Sequence, residues 1–521
     1  MQKLIAIVMA AVLMLTVNIS ASACTMVYVG GDMTDDGACI YGRVEDYYDN
    51  DFNKIYYVAP AGNHAEGELY EGCYGFTWTF THDSFGYTAR RDDNLSGVCP
   101  DCGGTHDHTP YEEAGTNDHG VTVSATETLH PNDAVLEADP FMPEGIEEAE
   151  IATIILSEAA TAREGVELLL GIYDDVGAYG ASGLMIADQN EQWYIENLTG
   201  HEYIAVLLPP SVAFLQPNLS VLGMLDLDDT ENVIASENVI AKAKEAGTFV
   251  GDEGNNAIDY RASYHFRDFD PTSYRQHRMA NGLNFLMDTD EWTVEEALRD
   301  NASIMTNIAE DGSITVLHND LVVANISMDD IFALYRVYPI GYEVNEEIHL
   351  YRFYPEAEQA LGTVEWSTMD DLRYNVYVPC FPMLLTDTWE GFKISVGEIE
   401  VLDEQPESGD YYETDGHYYV YPEGWENSYF WTMNALSNKM SYSEVSAEDQ
   451  VLVTKNLARL QEAFEQEFET ISADIAREES FEVRQSLMTD AAIEMSKEVH
   501  DLALALYRYL TYGESSDLIQ A

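Results

Sequence analysis

Cys24-Thr25-Met26-Val27-Tyr28-Val29-Gly30 is followed by Asp35-Asp36-Gly37 and then by Ala38-Cys39-Ile40-Tyr41-Gly42-Arg43-Val44-Glu45-Asp46. Val27 and Val29 alternate with Met26 and Tyr28, which predicts a short strand; Asp-Asp-Gly predicts a turn, and the second run a returning strand. A hairpin brings its far end back to its start. Arg43 and Asp46 are therefore expected beside Cys24. An arginine next to a thiol favours the thiolate, and an aspartate can hold an amine.

What precedes Cys24 gives that thiol its meaning. Met1–Ala23 reads as a secretory signal: Lys3 supplies the positive start, Leu4–Val17 is an apolar run too short to span a bilayer, and Ala21-Ser22-Ala23 is a cleavage site. Removal of residues 1–23 leaves Cys24 with a free α-amine, whose pKa of about 7.7–8.0 lets it take and return a proton near neutrality. The thiol needs such a base to become a nucleophile. Two other readings stay open. Cys24 can be an ordinary residue after a cleavage site, or the lipid-bearing cysteine of an anchored protein. A lipoprotein signal prefers Leu three residues upstream, where this chain has Ala21. Lipid would block both thiol and amine, so anchor and nucleophile exclude each other. The expected location is secreted: extracellular, or periplasmic where the source has an outer membrane.

Composition narrows the partners. The 521 residues carry 94 Asp+Glu against 24 Lys+Arg, a net charge of −70. So few cations cannot assemble a basic surface, which excludes nucleic acid and disfavours anionic lipid. Hydrophobic residues at 46% and aromatics at 11% place the chain among folded proteins rather than disordered acidic ones. The acidity reads as a hydrated, self-repelling surface. No stretch after the signal is long and apolar enough for membrane insertion.

Six cysteines are present: Cys24, Cys39, Cys73, Cys99, Cys102 and Cys380. With Cys24 set aside five remain, so at least one is unpaired. Cys99-Pro-Asp-Cys102 with His106 and His108 offers zinc-type ligands at a compact spacing, as weak candidates against a local disulfide or a plain loop.

The hairpin motif extends into a resemblance. Cys24-Thr25 at a mature terminus, Asp36-Gly37, and Gly42-Arg43-x-Glu45-Asp46 resemble the N-terminal-nucleophile (Ntn) cysteine dipeptidases of the dipeptidase A-like family, which are related to penicillin V acylases and bile salt hydrolases. Thr116-Asn117-Asp118-His119-Gly120-Val121 and Ser124-Ala125-Thr126-Glu127-Thr128 resemble a second family block, with Asp118 where the family has Glu. Trp193-Tyr-Ile-Glu196, Asn218, Ser236–Gly247, Tyr274-Arg275, Val376–Pro379 and Tyr429-Phe-Trp431 are further short matches. The resemblance implies an α+β fold, a four-layer αββα sandwich, here with a C-terminal helical extension. It implies hydrolysis of small peptides with no metal or organic cofactor. Cys24 would attack and pass through a thioester. Arg43 would tune the thiolate, and Asp46 would orient the amine. Asn218 and a backbone N–H near Thr126–Glu127 would hold the oxyanion, Thr126 and Glu127 lying against substrate. Arg275 matches a family arginine, with Arg278 three residues on as the alternative. Plainer readings stand beside these: Asn218 as a turn cap after Pro217, Arg275 in a surface ion pair, Glu127 as a core-edge carboxylate. Asn117 reads as a turn residue. The α-amine makes a histidine base unnecessary, so His82, His106, His108 and His119 receive no role.

The expected organisation is a signal over 1–23, a catalytic domain over 24–403, a polar loop over 404–424, and a helical region over 425–521 packed on the catalytic domain. Ile151–Leu170 and Asn232–Ala246 read as helices; Gly183–Ile186, Trp193–Glu196, Tyr203–Leu208, Ser313–His318 and Glu346–Phe353 as strands. Apolar residues stepping by three and four over Leu457–Ile475 and Met488–Leu506 predict two packed helices. The leading function is a secreted cysteine dipeptidase. The alternatives are an amidase or acylase on non-peptide amides such as conjugated bile salts or acylated amines, a lipid-anchored binding protein, and a surface scaffold without activity. Oligomeric state is not legible.

Overall fold

The computed structural model describes residues 24–46, 53–72, 74–93, 111–127, 129–266, 274–309, 312–397 and 399–520. The expected signal at 1–23 and the Cys99/Cys102/His106/His108 cluster lie outside the described residues. The fold is α+β, built on two large antiparallel sheets.

The predicted hairpin is present. Strand β1, Thr25–Val29, pairs antiparallel with strand β2, Cys39–Asp46, in the register Thr25↔Val44 and Met26↔Arg43. β1 lies inside its sheet, between β2 and Ala213–Gln216, and its side chains are buried on both faces. That explains its unbroken apolar run. The six-stranded sheet continues through Asn345–Phe353 and Thr363–Met369 to Val378–Cys380.

Alternation along these strands separates two faces. Gly42, Leu350 and Trp366 share one face, and helices cover it. Phe468 of helix Ala447–Arg477 packs on Trp366 and Phe381 with ring centroids 5.8 and 5.1 Å apart. Helices Tyr429–Tyr442 and Phe481–Tyr512 lie against the last two strands. Tyr41, Arg43, Glu45, Glu347, His349 and Glu365 share the other face. They meet an eight-stranded sheet that includes Lys54–Ala59, Tyr87–Asp92, Glu112–Asn117, Thr122–Glu127, Ser182–Ala187 and Gln192–Asn197. Contacts between the sheets include His349 to Ser124 at 2.6 Å, the Arg90–Glu365 ion pair, and the Tyr194 ring 4.8 Å from Phe214. Helices Glu148–Glu158 and Ala162–Asp175 pack on the far side of the eight-stranded sheet. Ile151, Ile154 and Ile155 share a second core there with Val123, Leu184, Ile186 and Ile195.

Three expectations need correction. Ile151–Leu170 is not one helix: it breaks at Ala159–Thr161, where Thr161 caps the second helix by accepting from Glu164 N. Asn232–Ala246 is a strand, Val233–Ala235, followed by a helix over Val239–Ala246. The stretch 404–424 is not a bare loop. Tyr411–Thr414 and His417–Val420 form a hairpin that joins Glu400–Leu402 in a small sheet. Asp415 and Gly416 both have positive φ, 52° and 82°, as a two-residue hairpin turn requires. Tyr412 of this hairpin stacks on Tyr442, and Asp410 beside it accepts from Tyr507 OH and Trp425 Nε1. The C-terminal helices are thereby tied to the body of the molecule. One hydrophobic core runs from Met26 to Leu506. Among the described residues no helix is long and apolar enough to cross a membrane.

Candidate active site

The site forms where the hairpin's two ends meet. Cys24 stands at the head of β1, and Arg43 and Asp46 lie near the end of β2. Arg43 Nη2 is 3.5 Å from Cys24 Sγ. The same nitrogen is 3.1 Å from Glu148 Oε1, in the first turn of helix Glu148–Glu158. On the other face of β2, Gly42 leaves room for Leu350 and Tyr335 to pack against the hairpin. A Cβ there would fall 2.4 Å from Leu350 Cδ2 and 3.1 Å from Tyr335 OH. That hydroxyl donates to Thr25 O at 3.2 Å and pins the start of β1.

Asp46 is fully buried. Its Oδ2 is 2.6 Å from Arg278 Nη1, and its Oδ1 accepts from Asn345 Nδ2 at 2.5 Å. Arg278 also donates to Thr25 Oγ1 at 3.3 Å and to Pro339 O at 2.7 Å. The arginine on Asp46 is thus Arg278, not Arg275. Arg275, one turn earlier on helix Tyr274–Leu286, lies near His130 and His265; burial and Arg275 push the His130 imidazole down, and burial, then Arg261, with smaller parts from His130 and Arg275, push down His265. A spacing of three places the two arginines on neighbouring but distinct directions, so only one reaches the hairpin.

Asn218 is buried and has φ 58°. It lies two residues beyond Gln216, which pairs with Met26 as the last step of that ladder, on the Cys24 side of the sheet. Thr126 and Glu127 end a strand of the facing sheet, paired with Gly183 and Ser182. Asn117 is a turn residue: its Oδ1 accepts from His119 N and Val121 N.

The charges around the sulfur have definite owners. Burial pushes the Cys24 thiol up; Arg43 works against this, and Asp46, Glu148 and Glu45 add to the rise. Burial also pushes the Asp46 carboxyl up, to about 7, although Arg278 and Asn345 favour its ionised form. Burial alone would raise Glu45. Lys54, a hydrogen bond with Glu113, and Arg43 instead bring it down to about 2. Its neighbour Glu113 is pushed well up by burial and by Glu45. The two neighbouring carboxyls are thus pushed in opposite directions. Glu45, Glu113 and Glu347 place ligand atoms within 4.8 Å of one another, close enough to hold a metal ion. The Lys54 ammonium sits among them, 2.7 Å from Glu45 and in contact with Asp92 and Glu113. It already supplies that cluster with a cation.

Sequence reasoning missed three contributors: Glu148, Asn345 and the His349 network. His349 Nε2 lies 2.6 Å from Ser124 Oγ, and Nδ1 lies 2.9 Å from Glu347 Oε1. This has the connectivity of a Ser–His–Glu triad, but all three residues are fully buried between the sheets. A serine there meets no substrate. The network instead ties the strand that carries Thr126 to the sheet that carries Arg43.

The model of peptidase family C69 matches residues 23–399, beginning one residue before Cys24. A protein named "Probable dipeptidase B" from Streptococcus pyogenes serotype M1 is 30% identical over 372 residues, which cover 68% of this chain and 71% of that protein. A "Probable dipeptidase" from Salmonella dublin is 28% identical over 381 residues, covering 69% of this chain and 81% of its own. Among solved structures, a mutant conjugated bile acid hydrolase from Clostridium perfringens aligns with 68% of this chain and 96% of its own at 11% identity and a TM-score of 0.26. The chain belongs to peptidase family C69 and is a hydrolase of peptide bonds.

Proposed function

We propose that this chain is a secreted cysteine dipeptidase whose nucleophile is Cys24, exposed as the first residue when residues 1–23 are removed. The observation that carries the reading is the contact of Arg43 Nη2 with Cys24 Sγ at 3.5 Å, on a hairpin whose Asp46 is held by Arg278 and Asn345. The family match beginning at residue 23 and relatives named as dipeptidases support it.

In this mechanism the chain-end amine takes the thiol proton as sulfur attacks the carbonyl carbon. The oxyanion is held by Asn218 and a backbone N–H near Thr126–Glu127; each such donor contributes about 10²–10³ in rate. Collapse of the tetrahedral species breaks the C–N bond, and the amine passes its proton to the departing amino acid. Water, deprotonated by the same amine, then attacks the thioester and frees the second product and the thiol. Asp46 faces the chain-end ammonium and orients it, and Arg278 and Asn345 fix Asp46. We further read the two facing sheets and their outer helices as a four-layer αββα sandwich, on the contacts described above.

The test is hydrolysis of a dipeptide panel and of conjugated bile salts by the secreted protein and by Cys24→Ala. Dipeptide turnover by the parent and none by the variant is expected. Equal turnover by both overturns the mechanism, and turnover confined to bile salts overturns the substrate class.

A further inference from the structure

One guanidinium nitrogen serves two partners. Arg43 Nη2 touches both the Cys24 sulfur and Glu148 Oε1, so the carboxylate stands one nitrogen away from the nucleophile. Of the other carboxylates facing the sulfur, Asp46 is held by Arg278 and Asn345, and Glu45 by Lys54. The Glu148 side chain keeps 7% of its surface exposed, against 10% for Glu45 and none for Asp46. It sits in the first turn of an 11-residue helix, whose positive end favours an anion.

For a thiolate alone this is an adverse arrangement. Glu148 draws on the nitrogen that should lean on sulfur, and with Asp46 and Glu45 it opposes the thiolate charge. A cation placed on Glu148 removes the opposition. A peptide substrate brings one. At attack its carbonyl carbon lies about 3–3.5 Å from the sulfur, and its α-nitrogen is two bonds further on. That reach matches a carboxylate one guanidinium nitrogen from the thiol.

We propose that Glu148 receives the α-ammonium group of the substrate, and that this contact draws Glu148 off Arg43 and leaves Arg43 to the Cys24 sulfur. A free-amine substrate then sensitises the nucleophile it is about to meet, while an amide without that amine binds without doing so. Glu148 is thus a specificity-determining residue. The inference rests on the dipeptidase reading and adds the group that enforces it.

Alanyl-alanine and propionyl-alanine differ only in the ammonium, so they isolate its effect. The parent favours alanyl-alanine in kcat/KM. Glu148→Gln lowers that preference by about 10–100-fold, the range for a charge-assisted hydrogen bond, and Glu148→Asp restores part of it. Without substrate, Glu148→Gln is alkylated at Cys24 by iodoacetamide faster than the parent at pH 7, because one of the charges opposing the thiolate is gone; the loss of preference for the free amine is the readout that a merely structural partner of Arg43 would not move. A parent that cleaves alanyl-alanine and a Glu148→Gln variant with unchanged preference overturn this inference and leave the dipeptidase standing. Slower alkylation in the variant also overturns it. A parent that leaves alanyl-alanine intact overturns both.

Discussion

Replacing Arg43 by Gln removes the cation 3.5 Å from Cys24 Sγ and leaves a shorter, neutral polar side chain. Two unit charges at that separation attract by about 4–5 kcal/mol at an effective dielectric near 20, or ~3 pKa units. The guanidinium spreads its charge over three nitrogens and shares Nη2 with Glu148. The expected effect on the thiol is therefore a rise of ~1–3 units. The assay is the pH dependence of iodoacetamide alkylation, read on the Cys24 peptide by mass spectrometry so that buried Cys39 and Cys380 do not interfere. Arg43→Gln should move the inflection up by that amount and slow alkylation at pH 7 at least about tenfold. The single variant strands a buried carboxylate, so Arg43→Gln/Glu148→Gln serves as companion: it removes both charges and should shift the inflection less. An inflection within ~0.3 unit of the parent in both variants would refute the assignment of Arg43 as the thiolate's partner.

Other outcomes follow from the same geometry. Asp46, pushed up to about 7 by burial, must be ionised to hold an ammonium, so kcat/KM should rise with pH through about 7; a profile whose acid limb is unchanged in Asp46→Asn would count against this. Because its native pKa lies above its unfolded one, the stability Asp46 contributes is complete in acid and lost as pH rises through 7; urea midpoints should therefore fall less between pH 5 and 8 in Asp46→Asn than in the parent. Gly42→Ala forces a methyl against Leu350 and Tyr335 and should destabilise by about 1–3 kcal/mol in urea unfolding. His349→Ala leaves Ser124 and Glu347 buried without their partner and should cost ~2–4 kcal/mol in the same assay.

The hairpin was legible because both of its signals are local: an apolar run for a strand buried on both faces, and an Asp-Gly turn. Arg43 and Asp46 followed from it, since a hairpin fixes which residues return to the start. Glu148 and Asn345 were not legible. They arrive from helices and strands 105 and 299 residues away from their partners, and a glutamate among 94 acidic residues carries no signal of its own. The choice between Arg275 and Arg278 depended on the rotation of one helix, which motif matching does not specify. Two misses were avoidable. Thr161 with Glu164 marked a helix start inside Ile151–Leu170. Asp415-Gly416 between Tyr411-Tyr412 and Tyr418-Tyr419 marked a hairpin that the acidic surroundings disguised.

The account stands on a sulfur and a chain-end nitrogen in one residue. Edman sequencing of the exported polypeptide, with its intact mass, is the most direct measurement. The prediction is a sequence opening Cys24-Thr25-Met26 with an unmodified amine; a chain opening at any other residue, or a Cys24 bearing an acyl or diacylglyceryl group, would contradict it.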